Sequence, residues 1–127
     1  MPVMQSAAHV YVVDDDPAVR NAVRLLVQAT GLQAESYGSA EAFLDAYNPG
    51  QPECLVLDLH MPNMNGVELQ QQLAARGLNI PIIVITATPD DPLAFLAKEA
   101  GALAVLAKPI KADELQRSIQ RAVGQAD

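Results

Sequence analysis

Short apolar runs alternate along the chain with stretches in which apolar residues recur at helical spacing. Four runs contain no charged residue and are about as long as one strand: residues 10–13, 54–57, 82–85 and 103–106. Runs of this kind are typical of strands buried on both faces of a sheet. A weaker run over residues 33–37 mixes polar and apolar side chains and predicts an edge strand.

The segments between these runs carry the start and stop signals of helices. Asp16 and Asp91 each place a capping carboxylate before a proline that suits the first helical position. Four glycines are expected to end helices in a left-handed conformation, namely Gly31, Gly77, Gly101 and Gly124. Three apolar sets repeat at helical spacing and are expected to face a core: Val19/Val23/Leu26, Leu93/Leu96/Ala97/Ala100 and Leu115/Ile119/Ala122/Val123.

Strict alternation of buried strands and helices predicts an α/β fold. We expect one doubly wound, five-stranded parallel sheet with right-handed crossovers and helices on both faces, of the flavodoxin-like kind. The 127 residues suffice for one domain, expected over 9–124, with short tails at 1–8 and 125–127. Chemical groups in such sheets gather at the carboxyl ends of the strands.

Polar side chains do follow these strand ends. The first strand runs into Asp14 and Asp15, the third ends in Asp58, the fourth in Thr86, and Lys108 follows the fifth. Each residue taken alone is also a plausible turn former, and Asp16 is expected only to cap a helix. Their joint placement on four strand ends instead favours one shared site.

Three carboxylates at one rim of a sheet repel each other, and a divalent cation would relieve that repulsion. Mg²⁺ suits the site because it prefers hard oxygen ligands and often shares them with phosphate. With Mg²⁺ bound, Asp58 could attack phosphorus, as carboxylates do in enzymes that form aspartyl-phosphate. Mg²⁺, Thr86 and Lys108 could then each satisfy one oxygen of the transferred group.

Composition bears on nucleic-acid binding, on the role of the single cysteine and on the location of the protein. The formal net charge is −7 and the eight Lys and Arg residues are scattered, so direct nucleic-acid binding is not expected. The single cysteine, Cys54, lies in an apolar run and is expected to be a core residue. The sequence shows no stretch suited to a membrane span or a signal peptide, so a cytoplasmic location is expected.

Four motifs are similar to those of the CheY-like receiver domains of bacterial two-component response regulators. They are Val12-Val13-Asp14-Asp15, the stretch from Asp58 to Gly66, Ile85-Thr86-Ala87, and Lys108-Pro109. The resemblance covers residues 9–123 and implies the strand order 2-1-3-4-5. Residues 39–44, 64–69 and 100–102 resemble the FixJ branch, whose members often carry a DNA-binding output domain after the receiver. Too few residues follow the last predicted helix for such a domain, so we expect either a stand-alone regulator or a receiver separated from its output domain.

The resemblance also implies roles for individual residues. Asp58 would accept a phosphoryl group from a sensor histidine kinase. Thr86 would bond that group and move with it, and Lys108, held by a cis Lys-Pro bond, would pair with a phosphate oxygen. The Mg²⁺ ligands would be Asp15 directly, Asp14 mainly through water, Asp58, and the backbone carbonyl of His60. Ala18, Ala22 and Leu25 on the first helix would form the docking face for the kinase.

Two positions bear on how such a domain would signal. Val105 stands where the family usually has an aromatic residue, three places before the lysine, so a rotating ring cannot carry the switch and loop shifts are expected instead. The side chain of His60, two residues after Asp58, would either point to solvent or screen the phosphate from water and tune its hydrolysis. Phosphorylation-dependent dimerisation stays open.

Two other functions use the same residues. A Mg²⁺-dependent phosphatase of the haloacid-dehalogenase type would need a second acid two residues after the nucleophile, where this chain has His60, and a cap domain. A degenerate receiver would bind a partner without being phosphorylated. The complete acidic set argues against this last reading, and a phosphoacceptor signalling domain, not an enzyme, is the expected function.

Overall fold

The computed structural model describes residues 8–49 and 53–124. Its parallel sheet has five strands in the order β2-β1-β3-β4-β5, so the predicted flavodoxin-like topology is confirmed. The strands are β1 His9–Val13, β2 Gln33–Tyr37, β3 Glu53–Asp58, β4 Ile82–Thr86 and β5 Ala104–Ala107. The helices are α1 Pro17–Gln28, α2 Ala40–Ala46, α3 Gly66–Ala75, α4 Pro92–Glu99 and α5 Ala112–Gly124.

Successive residues of the central strands point to opposite faces of the sheet, and each face has its own core. On one face, side chains such as Val13, Leu55 and Leu57 pack with Phe43 of α2 and with residues of α3 and α4. On the other, residues that include Cys54 pack with α1 and α5. Cys54 is fully buried and free, as predicted.

The predicted helix starts are confirmed and one predicted helix end is wrong. The carboxylate of Asp16 accepts the Ala18 N–H at 2.9 Å, and that of Asp91 accepts the Leu93 N–H at 2.7 Å. Three glycines have positive φ, at 89° for Gly31, 71° for Gly77 and 103° for Gly101. Gly124 does not, because it is the last residue of α5 and continues the helix.

Two burial predictions for the α4–β5 edge are also wrong. The predicted core set on α4 buries only Ala97, joined by Ala94, whereas Leu96 is 49% exposed and Ala100 is exposed. The β5 run is only partly buried, because β5 is an edge strand that pairs with β4 alone. A helix over a sheet edge has less surface to cover than one over the centre, so a narrow alanine stripe suffices.

The two predicted tails lie almost entirely outside the described residues, because the structure describes neither residues 1–7 nor residues 125–127. Across the described ranges, no helix combines the length and apolar character needed to cross a bilayer.

Candidate functional site

The strand register brings the acidic residues together. Val13 of β1 is paired with Leu57 of β3, so the next residue of each strand, Asp14 and Asp58, lies at the same rim of the sheet. Asp15 follows directly on the β1 side. One carboxylate oxygen from each of these three residues lies within 4.8 Å of the others.

Asp14 is held at this rim by burial and two hydrogen bonds. Its side chain is fully buried, and Oδ1 accepts the Asp16 N–H at 2.9 Å. The Arg20 guanidinium donates to the Asp14 backbone carbonyl at 2.8 Å. Nothing in the sequence predicted this contact of Arg20, because a charged residue at the fourth position of a helix carries no signal of what it contacts.

Lys108 joins the two buried carboxylates. Its Nζ lies 3.0 Å from Asp14 Oδ2 and 3.3 Å from Asp58 Oδ1. The Lys108–Pro109 peptide bond is cis, as the resemblance implies, and the Lys108 N–H donates to the Thr86 carbonyl at 2.8 Å. Burial lowers the pKa of Lys108, but hydrogen bonding and charge from Asp14 and Asp58 outweigh it and raise the pKa overall. The side chain is therefore a cation at neutral pH.

The charge on Asp58 is not fully compensated by Lys108. Burial, together with the negative charge of Asp14, raises the pKa of Asp58 from 3.8 to about 6, although Lys108 opposes the rise. Asp58 is only 5% exposed, so water screens these charges poorly.

The donor set fits a hard divalent cation. Asp14 Oδ2 is buried and lies 3.0 Å from the Lys108 ammonium, and no backbone or other side-chain donor of the described residues reaches it. An acceptor left in this state costs free energy that a cation or its bound water would recover. Carboxylate oxygens from Asp14, Asp15 and Asp58 are the ligand type that Mg²⁺ prefers.

Thr86 lies beside this cluster at the end of β4. Its neighbour Ile85 is paired with Asp58, and its own side chain is fully buried. The Thr86 hydroxyl accepts the Thr88 N–H at 3.1 Å and contacts the Thr88 hydroxyl at 3.3 Å. In this structure the hydroxyl is thus engaged with the β4–α4 loop.

The side chain of His60 reaches across to the same loop. Its Nε2 lies 3.1 Å from Asp91 Oδ2 and 3.4 Å from the Thr88 hydroxyl. The ring is half exposed, yet it contacts named partners and does not simply extend into solvent. From its sequence context, Asp91 was expected only to cap a helix. The role of the His60 backbone carbonyl as a metal ligand stays a prediction.

Gly66 shapes the loop between Asp58 and α3. The Gly66 N–H donates to the Leu59 carbonyl at 2.9 Å, and a Cβ on Gly66 would lie only 2.7 Å from the Asp58 carbonyl oxygen. Asn65 and Glu68 cap α3 reciprocally, each side chain accepting the other's backbone N–H at 2.9 Å. A side chain at position 66 would therefore fit only if the backbone after Asp58 moved.

Comparison with known proteins agrees with this geometry. Residues 10–120 match the family model of the response regulator receiver domain. The response regulator protein TodT of Pseudomonas putida is 41% identical over 117 residues, which are 92% of this chain and 52% of TodT. The transcriptional regulatory protein FixJ of Bradyrhizobium diazoefficiens is 36% identical over 124 residues, covering 98% of this chain and 60% of FixJ.

Solved structures of similar proteins agree with this family assignment. The crystal structure of FixJ-N superposes with a TM-score of 0.86 at 38% identity and covers 95% of this chain and 96% of that one. The response regulator StyR gives a TM-score of 0.87 at 41% identity, over 94% of this chain and 61% of StyR. This chain spans 52% of TodT and 60% of FixJ, the curated relatives named here. With the family model matching most of the chain, the protein belongs to the family of response regulator receiver domains.

Proposed function

We propose that this receiver domain accepts a phosphoryl group on Asp58 in a Mg²⁺-dependent reaction. The observation that carries the proposal is the cluster of Asp14, Asp15 and Asp58, whose oxygens lie within 4.8 Å, with Lys108 bridging two of them. The metal would be held by these three carboxylates and the backbone carbonyl of His60. The donor would be a sensor histidine kinase in the cytoplasm, as the family resemblance implies.

Each residue has a task in this reaction. An Asp58 carboxylate oxygen attacks phosphorus, a new P–O bond forms, and the bond from phosphorus to the donor breaks with its electron pair leaving on the donor. The bound metal would supply positive charge to the phosphoryl oxygens. The Lys108 ammonium neutralises another of these oxygens, and the Thr86 hydroxyl donates to a third. Attack by water on phosphorus later returns the Asp58 carboxylate and releases inorganic phosphate.

Phosphorylation would change the surface of the domain through the loops next to the site. If Thr86 turns towards the phosphoryl group, its contacts with Thr88 must break, which disturbs the β4–α4 loop. Val105 on β5 is only partly buried and has no ring to rotate, so loop and helix shifts would change the α4–β5 surface. A dimer formed on phosphorylation is part of this proposal.

The proposed partners of this domain rest on its exposed surfaces and on the proteins to which it is similar. Leu25 is 52% exposed on α1, on a helix that also exposes Ala18 and Ala22, so this face is available for docking of a kinase helix. FixJ is named a transcriptional regulatory protein. By analogy, we propose that this receiver, which spans residues 9–124, acts together with a DNA-binding output domain.

Intact-mass measurement after exposure to acetyl phosphate tests the proposal. We expect one added phosphoryl group when Mg²⁺ is present, localised to Asp58 by peptide analysis, and none in the presence of a chelator. Incorporation without metal, or on another residue, would contradict the proposed site. Sustained turnover of p-nitrophenyl phosphate would instead favour the phosphatase reading.

Metal binding is also expected to stabilise the fold. A ligand that binds only the native state at ten times its Kd adds about 1.4 kcal/mol to the free energy of unfolding. We expect Mg²⁺ to give this gain to the natural protein and to Asp16→Asn, whose carboxylate lies outside the cluster. Asp15→Asn should lose most of it. Urea denaturation with and without Mg²⁺ measures the gain, and an equal loss in both variants would mean that net charge alone attracts the ion.

A further inference from the structure

Asp91 makes two different contacts with its two carboxylate oxygens. Oδ1 accepts the Leu93 N–H at 2.7 Å and so caps α4. Oδ2 lies 3.1 Å from His60 Nε2, and the Thr88 hydroxyl donates to it at 3.4 Å. A cap requires only one acceptor oxygen, so the second contact is additional to the cap.

This second contact joins the two loops that flank the phosphoacceptor. His60 lies in the β3–α3 loop, two residues after Asp58, and Asp91 ends the β4–α4 loop. Thr88 lies between them and contacts His60, Asp91 and the Thr86 hydroxyl. The His60 ring therefore crosses from the loop after β3 to the loop after β4, and Thr88 links it to the Thr86 hydroxyl.

Asp16 provides an internal comparison within the same chain. It also stands before a proline and caps its helix, accepting the Ala18 N–H at 2.9 Å. Asp16 is exposed, whereas the Asp91 side chain is only 27% exposed. Because Asp91 is partly buried, water screens the negative charge that it presents to His60 less than it screens the exposed charge of Asp16.

We propose that Asp91 is a positioning residue for the phosphoacceptor site, holding the His60 ring across the gap between the β3–α3 and β4–α4 loops and so limiting access of water to a phosphoryl group on Asp58. Asp91 touches neither Asp58 nor the transferred group; it acts through His60. The inference rests on the proposed function, since it concerns the lifetime of the phosphorylated form.

The variant Asp91→Asn separates positioning from capping. Asparagine caps helices as well as aspartate does, so α4 keeps its first hydrogen bond. The negative charge facing His60 is lost. Asp113→Asn is the matched control, because it also removes a carboxylate that contacts a side chain, here the exposed ion pair with Arg117 at 3.5 Å. Thermal melts of both variants check that the fold is retained.

The first measurement is structural and needs no phosphorylation. The protein has two histidines, so ¹⁵N-imidazole spectra resolve His60, with His9 as an internal reference. In metal-free protein at one neutral pH, we expect the His60 signals to move in Asp91→Asn and to stay in place in Asp113→Asn. Unmoved His60 signals in Asp91→Asn would show that the contact is absent and would overturn the proposal.

The second measurement is the rate at which phosphoryl label is lost after removal of acetyl phosphate. We expect Asp91→Asn and His60→Ala each to lose label about two- to fivefold faster than the natural protein, the range that corresponds to losing one partly exposed side-chain contact. The double variant should be no faster than either single one, because both changes remove the same screen. Unchanged rates or multiplying effects would overturn the proposal. Absence of label on the natural protein would instead refute the phosphoacceptor function itself, whatever the imidazole spectra show.

Discussion

Asp58→Asn is expected to abolish phosphoryl uptake from acetyl phosphate and, in metal-free solution at neutral pH, to make the protein harder to unfold. The amide of asparagine is not a nucleophile towards phosphorus, so the uptake is lost entirely. The stability gain follows from the raised pKa of Asp58, about 6 against the usual 3.8, because burial and Asp14 disfavour the charged form. Removing that charge should add about 2 to 3 kcal/mol to the free energy of unfolding.

The pH dependence has a definite sign. Between pH 3.8 and about 6 the native Asp58 holds a proton that the unfolded chain has released. The natural protein therefore loses stability as pH rises through this window, and the full penalty is present above it. Asp58→Asn lacks that loss, so its advantage should shrink as pH falls below about 6 and be absent below 3.8.

Urea denaturation of both proteins across this pH range, in chelator, measures the difference. Asp113→Asn serves as the charge control, since Asp113 is an exposed member of a surface pair and its removal should change stability little. An Asp58→Asn variant less stable than the natural protein at neutral pH would show that the pairing of Lys108 with Asp58 outweighs the desolvation of the carboxylate.

Gly66→Ala is expected to lower the free energy of unfolding by about 2 to 3 kcal/mol and to impair phosphoryl uptake. The added Cβ would lie 2.7 Å from the Asp58 carbonyl oxygen and 3.1 Å from Leu59 Cα. Both neighbours are backbone atoms, so the clash can be relieved only by moving the loop after β3, and overpacking of this kind is destabilising. That movement would also pull Leu59 away from its hydrogen bond with the Gly66 N–H.

Chemical denaturation and acetyl phosphate labelling together measure the effect of Gly66→Ala. Gly124→Ala is the matched control, because its Cβ would meet nothing within 4 Å and alanine favours a helix. We expect the control to be neutral or slightly stabilising and to label normally. A Gly66→Ala protein with natural stability and labelling would mean that the loop after β3 adapts freely and does not orient Asp58.

The local pattern of the sequence was enough to predict most of the architecture. Strand runs such as 54–57 and 82–85 are apolar at every position because both faces of a central strand are covered, and this leaves a direct mark on the sequence. The Asp-Pro pairs at Asp16 and Asp91 predicted helix starts because capping involves atoms only two residues apart. The grouping of the candidate site residues could be predicted because parallel strands align their carboxyl ends, so residues such as Asp58 and Lys108 meet at one rim.

Tertiary structure alone decided which surfaces stay open and which polar groups meet across loops. Leu96 remains 49% exposed although its spacing fits a core face, because α4 covers a sheet edge with little surface to bury. The contacts of Arg20 with the Asp14 carbonyl and of His60 with Asp91 join residues whose own neighbours in the chain give no sign of them. Hydrophobic periodicity reports burial along one element, whereas side-chain pairing depends on the distance between elements, and that distance is set only when the sheet and helices have packed.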